Sequence, residues 1–313
     1  MKKGTTSIVN CYNKLSNFGK ILIFIILLLL LMTFFKNITI PPNAVEGFTQ
    51  TEDYTFVKNV DVFDEFYAQL YDHLVYNDVK SDFEVGNVLA LLSGVSGKIS
   101  LLDIGSGTGH NLNKLSRNRL ITDTVGIDIS PSMIAQSKEK YPTHTWVLGD
   151  ALIVTNFPPQ SFTHITCFYF TIYYFKEKRR FFENCMEWLM PGGYLILHLV
   201  DKHKFDPILP PGNPLYIVSP QKYAKKRITK TKITFTDFVY NSNFNLEGNL
   251  ATFDEKFKFK NGKIRQQQQN LYMEDREQIS TMAQQCGFNL HSIVDMVKCA
   301  YENQYLYIFS KPA

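Results

Sequence analysis

The residues with the clearest chemical meaning are three carboxylates, each placed at the end of a short apolar run. Leu101-Leu102-Asp103-Ile104-Gly105-Ser106-Gly107-Thr108-Gly109-His110 carries Asp103 and then three glycines spaced by two. Asp128 ends Val125-Gly126-Ile127-Asp128, and Asp150 follows the run Thr145 to Leu148. A glycine removes the side chain where a ligand must approach backbone. A glycine loop opening a helix suits a dinucleotide pyrophosphate at the helix N-terminus as well as a nucleoside ligand without phosphate. A carboxylate ending the second strand can accept both hydroxyls of a ribose, which serves either ligand.

Such residues meet only if parallel strands deliver them to one edge, and the flanking sequence has that rhythm. Val62, Phe63, Phe66, Tyr67, Leu70, Tyr71, Leu74 and Val75 recur at helical spacing, predicting an amphipathic helix ahead of the first strand. Apolar runs at Ser100–Ile104, Thr124–Asp128, Thr145–Leu148 and Phe162–Phe168 alternate with helical patterns starting near Gly109, Ser132 and Lys176. Pro191-Gly192-Gly193 stops the last helix and begins a strand over Tyr194–Val200. Strands alternating with helices predict a parallel sheet covered on both faces, with ligands beyond the carboxyl ends of the strands. Residues 201–272 break the rhythm with Pro207, Pro210, Pro211 and Pro214, then strand-like stretches from Ile233 to Tyr240 and around Phe253, Phe257 and Phe259. Asn261-Gly262 is a hairpin turn into Lys263–Gln269, so this segment reads as an inserted antiparallel flap. Glu274–Cys286 reads as a helix ended by Gly287, and Phe288–Val297 and Gln304–Ser310 as closing strands.

The spacing of the glycines separates the two ligand types. The dinucleotide fingerprint G-x-G-x-x-G would put a small residue at position 110, where His110 stands; the chain reads D-x-G-x-G-x-G. With Asp128, Asp150, Pro191-Gly192-Gly193 and Gly287-Phe288, the stretch from Asp61 to Ser310 resembles the class I S-adenosylmethionine-dependent methyltransferases. The resemblance implies an α/β fold: a Rossmann-like seven-stranded, mostly parallel sheet with helices on both faces, here with the inserted flap. It implies S-adenosyl-L-methionine as cofactor and no metal. Asp103 would face the ligand's ammonium end, Asp128 the ribose, Asp150 with Ala151 the adenine amino group, and Tyr71 would cover the methionine end. The full cofactor-binding set it implies is Tyr71, Asp103, Gly105, Ser106, Gly107, Gly109, Asp128, Ile129, Met133, Asp150, Ala151 and Phe168.

Methyl transfer is an in-line displacement, so the protein must align a nucleophile, exclude water and accept a proton where the nucleophile carries one. After the fourth strand the chain reads Cys167-Phe168-Tyr169-Phe170-Thr171-Ile172-Tyr173-Tyr174-Phe175, without the D/N-P-P-Y/F motif of amino-methylating nucleic-acid and protein enzymes. These aromatics suit an apolar or cationic small acceptor. Tyr169, Tyr173 and His198, the last near the end of the fifth strand, are the candidate catalytic residues, and a small or lipid-like molecule is the expected acceptor. A protein or RNA methyltransferase and a non-catalytic cofactor-binding protein are the alternatives.

The chain of 313 residues is 45% hydrophobic with a formal charge of +4, enough for a sizeable core and too little net charge to point to nucleic acid. Five scattered cysteines without C-x-x-C, Cys11, Cys167, Cys185, Cys286 and Cys299, predict free thiols and a reducing compartment. Ile21–Phe35 is apolar except for Thr33 and lies between Lys20 and Lys36. Fifteen residues rise only about 22 Å as helix against a roughly 30 Å hydrocarbon core, but snorkelling lysines and Asn37–Ile40 extend them. No A-x-A cleavage site follows, so an uncleaved single-pass membrane anchor is expected over 21–40. The expected organisation is a basic N-terminus over 1–20, this transmembrane helix, a linker over 41–53 and a methyltransferase domain over 54–313, in which 201–272 is the inserted flap and substrate region. Lys2, Lys3, Lys14 and Lys20 predict a cytoplasmic N-terminus. That collides with the free thiols, leaving the side of the catalytic domain open. The basic segment 222–232, with Lys222, Lys225, Lys226, Arg227, Lys230 and Lys232, is expected to meet anionic headgroups, with RNA as its rival partner.

Overall fold

The computed structural model describes residues 15–38, 52–92, 97–212 and 219–313. Cys11, the basic N-terminus as far as residue 14 and the linker as far as residue 51 lie outside the described residues. The chain divides into two compact units, Met1–Gly47 and Phe48–Ala313.

The first unit holds helix α1 (Asn17–Ile38), which carries the apolar run and has no polar face. Its described side chains end at Leu29, and Phe18, Ile21, Leu22, Phe24 and Leu27 to Leu29 among them are exposed. Among the described residues no helix is long and apolar enough to cross a membrane. The transmembrane helix expected over 21–40 is therefore not found there. The part of α1 with described side chains stops well short of the roughly 20 apolar residues a span requires.

The second unit is built on two sheets. The larger contains β2 (Ile99–Ile104), β3 (Ile121–Asp128), β4 (Thr145–Leu148), β5 (Phe162–Cys167) and β6 (Leu189–Val200), all parallel. Two antiparallel strands, β11 (Asn289–Asp295) and β12 (Gln304–Ser310), close it in the order β11-β12-β6-β5-β2-β3-β4. This is the seven-stranded α/β sheet of Rossmann-like kind. Alternation along β6 sends Leu195, Leu197 and Leu199 to one face, against Phe181, Phe182 and Trp188 of a covering helix, while Ile196 joins Leu101, Leu112 and Leu306 on the other.

Local chemistry fixes the helix starts. Asp64 accepts from Tyr67 N at 3.1 Å at the start of α2 (Glu65–Leu74), and Asn77 from Lys80 N at 2.9 Å at the start of α3 (Asp78–Leu91). Helix α4 (His110–Leu115) follows the glycine loop. Ser130 caps α5 (Pro131–Lys140), with Pro131 in the first turn where its missing N–H costs nothing. Then come the short α6 (Thr171–Tyr174), α7 (Lys178–Trp188) and α8 (Arg276–Gln285). Helix α3 has no counterpart in the sequence reading, because its buried face carries Lys80, Ser81 and Glu84 beside Val85 and Val88 and so lacks an apolar stripe.

The second sheet corrects the reading of the flap. Strands β7 (Lys230–Thr234), β8 (Phe238–Glu247), β9 (Leu250–Phe259) and β10 (Ile264–Tyr272) are antiparallel neighbours, but β1 (Tyr54–Lys58), from ahead of the first sheet strand, pairs parallel with β10 and completes the order β1-β10-β9-β8-β7. The stretch expected as one strand from Ile233 to Tyr240 is two strands joined by a turn, where Phe235 N donates to Phe238 O at 2.9 Å. Phe238, Tyr240, Phe257 and Phe259 from the inner face pack on Tyr67, Leu70 and Leu74 of α2. Arg265 Nη1 donates to Asp64 Oδ2 at 2.8 Å, tying this sheet to the residue that caps α2.

Candidate active site

Five parallel strands place Ile104, Asp128, Leu148, Cys167 and Val200 at one edge of the first sheet. A cavity of about 500 Å³ opens beyond that edge and runs under the second sheet. Of the residues singled out in the sequence, Tyr71, Gly105, Gly107, Asp128, Ile129, Met133, Asp150, Ala151 and Tyr169 line it.

The strand-end half is held by backbone donors. Gly107 N donates to Asp128 Oδ2 at 2.9 Å and Ser130 N to Oδ1 at 2.9 Å. Each carboxylate oxygen keeps a further lone pair, enough for two ligand hydroxyls. Burial raises the Asp128 carboxyl above its ordinary range, against the pull of these donors. Asp150 Oδ1 accepts from Leu152 N at 2.9 Å, which fixes the turn after β4. Gly107, at φ +54, has only Tyr71 Cε1 at 3.9 Å near the direction a Cβ would take, so the space above it belongs to the cavity. Gly105, at φ +66, is closed instead: a Cβ there would fall 2.6 Å from Thr171 Oγ1.

Tyr71 reaches this loop because the next residue anchors α2 to it. Asp72 accepts from Thr108 Oγ1 at 2.6 Å and Lys140 Nζ at 2.6 Å, and its Oδ2 lies 2.8 Å from His110 Nε2. Burial raises the Asp72 carboxyl, but the hydrogen bonds, His110 foremost, outweigh it and bring it down to about 2. His110, absent from the dinucleotide fingerprint, thus tethers the helix that bears Tyr71.

Six of the expected residues do not line the cavity. Asp103 is buried one layer behind it, accepting from Thr166 Oγ1 at 2.7 Å; burial, against that hydrogen bond, lifts its carboxyl from 3.8 to about 7. Ser106 faces Gly126, where a Cβ would meet its Oγ at 2.8 Å, and Gly109 supports the ring of Trp146. Phe168 is part of the sheet core. Tyr173 is fully buried, and its hydroxyl accepts from Val200 N at 2.8 Å. His198 is also fully buried, with Glu84 Oε1 3.6 Å from its Nδ1. Burial and then the nearby Lys80 ammonium keep its imidazole well below the ordinary range, so it is neutral. It does not line the cavity, where the expected base would stand, although its ring lies 6.3 Å from those of Tyr169 and Phe170, which do.

The other half of the cavity draws on the flap, expected as a substrate region, and on the aromatic segment after β5, though most of its residues carried no site expectation of their own. Phe63 and Tyr67 come from the approach to α2 and from the helix itself, Tyr174 from α6, Phe205 from the loop after β6, and Phe244, Phe253 and Gln269 from the second sheet. Their period-2 and helical spacings were visible, but the same spacings describe an ordinary core. Lys178 pins the segment after β5 to the second sheet by donating to Phe175 O at 2.9 Å and Tyr272 O at 2.6 Å while pairing with Glu274 at 2.6 Å. Arg227 backs this wall behind Phe205 without lining the cavity. It donates to Lys202 O at 2.8 Å and Phe205 O at 2.7 Å, with its guanidinium 4.7 Å from the Phe205 ring centre, so it is not available to a headgroup. Lys222, Lys225, Lys226, Lys230 and Lys232 are exposed.

A family described as "Methyltransferase domain" matches residues 102–197, the span from β2 through most of β6. A search of curated protein sequences finds no match. Among solved structures, an S-adenosylmethionine-dependent methyltransferase from Clostridium acetobutylicum is similar with a TM-score of 0.59 at 15% identity, covering 81% of this chain and 99% of that one. A sugar N-methyltransferase from Streptoalloteichus gives 0.55 at 18%, covering 75% and 88%. An S-adenosylmethionine-bound amino pentose methyltransferase of calicheamicin biosynthesis from Micromonospora echinaspora gives 0.53 at 17%, covering 74% and 91%.

Proposed function

Because the chain carries a class I S-adenosylmethionine-dependent methyltransferase domain, with S-adenosyl-L-methionine as cofactor, we propose that it methylates a small-molecule acceptor seated between the strand ends and the inner face of the second sheet. The observation that carries this reading is the continuity of the cavity, which Gly107, Asp128 and Asp150 line on one side and Phe205, Phe244 and Phe253 on the other. Its volume of about 500 Å³ lies in the range of small-molecule sites. The amino pentose and sugar methyltransferases of similar fold have small-molecule acceptors, in keeping with this reading.

The space over Gly107 and the spare lone pairs of Asp128 fit the cofactor. Asp128 would hold its ribose hydroxyls, Asp150 its adenine amino group and Tyr71 its methionine end. When bound, the cofactor supplies an electrophilic methyl group on a sulfonium. The protein's part is to place the acceptor in line, and the aromatic wall around Tyr169 and Tyr174 excludes water from the approach. Incubating the protein with labelled cofactor and fractionated small-molecule, lipid, RNA and protein extracts tests this. Label is expected in a small-molecule or lipid fraction; label in RNA or protein alone overturns the reading, and label in none favours a non-catalytic cofactor-binding protein.

The apolar run Ile21–Phe35 and the exposed side chains from Phe18 to Leu29 support a membrane-associated N-terminus, with its basic end cytoplasmic. The exposed lysines of 222–232 support a contact with anionic headgroups. Flotation of the full chain with vesicles containing phosphatidylserine is the check. The chain is expected to float, less so with Lys222, Lys225 and Lys226 changed to Gln, and a chain that stays at the bottom of the gradient refutes both contacts.

A further inference from the structure

Glu255 sits at the centre of the inner face of the second sheet, on its middle strand β9, where the alternation of buried residues otherwise places Ala251, Phe257 and Phe259. It is 2% exposed. Its carboxylate accepts from Tyr67 Oη at 3.2 Å, Tyr240 Oη at 2.6 Å, Gln267 Nε2 at 2.6 Å and Gln269 Nε2 at 2.9 Å. Burial raises the Glu255 carboxyl above its ordinary range, and the four donors pull it part of the way back towards the ionised form. Among the described residues none of these partners is a cation. Arg265 is reached only through Gln267, to which its Nε donates at 3.0 Å, and its charge is met by Asp64. Buried carboxylates are ordinarily paired with a positive charge.

Two of its partners, Tyr67 and Gln269, line the cavity, and Gln269 in turn accepts from the hydroxyl of Tyr174, which also lines it. Around this point the rings gather edge to face. Phe63 meets Tyr67 at 5.8 Å, Tyr71 at 6.5 Å and Tyr174 at 5.6 Å, and Tyr67 meets Tyr71 at 6.0 Å. Aromatic faces with a carboxylate one hydrogen bond behind them attract cations. The ionisable carboxyl and amino groups lining the cavity also lean one way, Asp128, Asp150, Glu177 and Asp206 against Lys176.

We propose that the Glu255 network and the rings of Phe63, Tyr67 and Tyr174 form a subsite for a positively charged group on the acceptor, so that the acceptor is an amine carried as its ammonium form on arrival. This rests on the reading of the cavity as a methyltransferase site. The field of Glu255 reaches the cavity through Tyr67, Tyr169 and Tyr174, each of whose hydroxyls is made harder to ionise by burial and then by that carboxylate's charge.

The test uses the full chain saturated with S-adenosylhomocysteine and two probes of matched size, cyclohexylammonium and cyclohexanol, titrated at pH 7. Wild-type protein is expected to bind cyclohexylammonium about tenfold more tightly than cyclohexanol. In Glu255→Gln that preference is expected to fall to about twofold or less, with S-adenosylhomocysteine affinity unchanged. Should Glu255→Gln not fold, Tyr174→Leu carries the same test, since it removes one of the three rings and leaves the four partners of Glu255 in place. Equal binding of the two probes to wild type, or a folded variant that keeps the full preference, overturns the proposal. Absence of S-adenosylhomocysteine binding to wild type instead sinks the methyltransferase reading itself, so the two failures are distinguishable.

Discussion

The two halves of the cavity are made in opposite ways. The strand-end half is backbone: glycines at positive φ, N–H groups aimed at Asp128, and a turn fixed by Asp150, all within five strands of one parallel sheet. The second-sheet half is side chain: rings from α2, α6 and β8 to β10 brought together by pairings across some two hundred residues, such as Tyr54 with Ile264. A backbone site tolerates almost no addition of atoms, whereas a side-chain site tolerates exchange of rings but not loss of its tethers.

The sharpest way to break the first half is Gly105→Ala. A Cβ at φ +66 and 2.6 Å from Thr171 Oγ1 combines backbone strain with overpacking, and about 2–5 kcal/mol of stability should be lost in denaturant unfolding. Thr171→Ala added to it should restore part of that loss, because it removes the clash and leaves the strain. The corresponding break in the second half is Lys178→Met. Two carbonyls and Glu274 would lose a buried cation, costing about 3 kcal/mol and raising hydrogen exchange at the end of β10 while leaving cofactor affinity within about threefold.

The tether of α2 to the glycine loop gives a pH test. Asp72 is depressed to about 2 from an ordinary 3.8, so its contribution of about 2 kcal/mol is complete above pH 3.8 and is lost as pH falls through about 2. Asp103 has the opposite sign. Raised to about 7, it holds a proton that the unfolded chain has released, so its ionisation lowers stability as pH rises from about 4 to about 7. Asp103→Asn should flatten that slope in thermal melts across the range. The smallest effect expected is that of Tyr173→Phe, which leaves Val200 N without its acceptor. About 1–2 kcal/mol of stability should go, with the Michaelis constant for the acceptor unchanged, as befits a residue that supports β6 and does not line the cavity.

What the sequence made legible follows the same division. The glycine spacing and the carboxylates Asp128 and Asp150 announce themselves because strand-end chemistry is local: each residue is read within a few positions of its strand. Helix α3 stayed hidden because Lys80 and Glu84 satisfy one another inside the fold, at 3.0 Å, and so replace the apolar stripe that marks a buried helix. Strand β1 stayed hidden because its partner lies at the far end of the chain, and five residues alternating between exposed and half-buried carry little pattern. His198 and Tyr173 attracted attention by residue type and by their places near the end of the fifth strand and after the fourth, yet both side chains are fully buried and neither lines the cavity. Glu255 drew none: alternation puts it on the face of Phe253, Phe257 and Phe259, but a lone carboxylate among rings does not disclose its partners, and only the pairing with β8 and β10 brings Tyr240, Gln267 and Gln269 to it.

The proposed seat of S-adenosylmethionine is Asp128 and the loop above it. Titration calorimetry of S-adenosylmethionine into wild type and into Asp128→Ala, with melting temperatures measured alongside, tests it most directly. Wild type should bind, and Asp128→Ala should bind about 30-fold or more weakly, because two hydrogen bonds to a charged acceptor are lost. A wild-type protein that takes up no cofactor, or a folded Asp128→Ala that binds as tightly as wild type, would contradict that assignment.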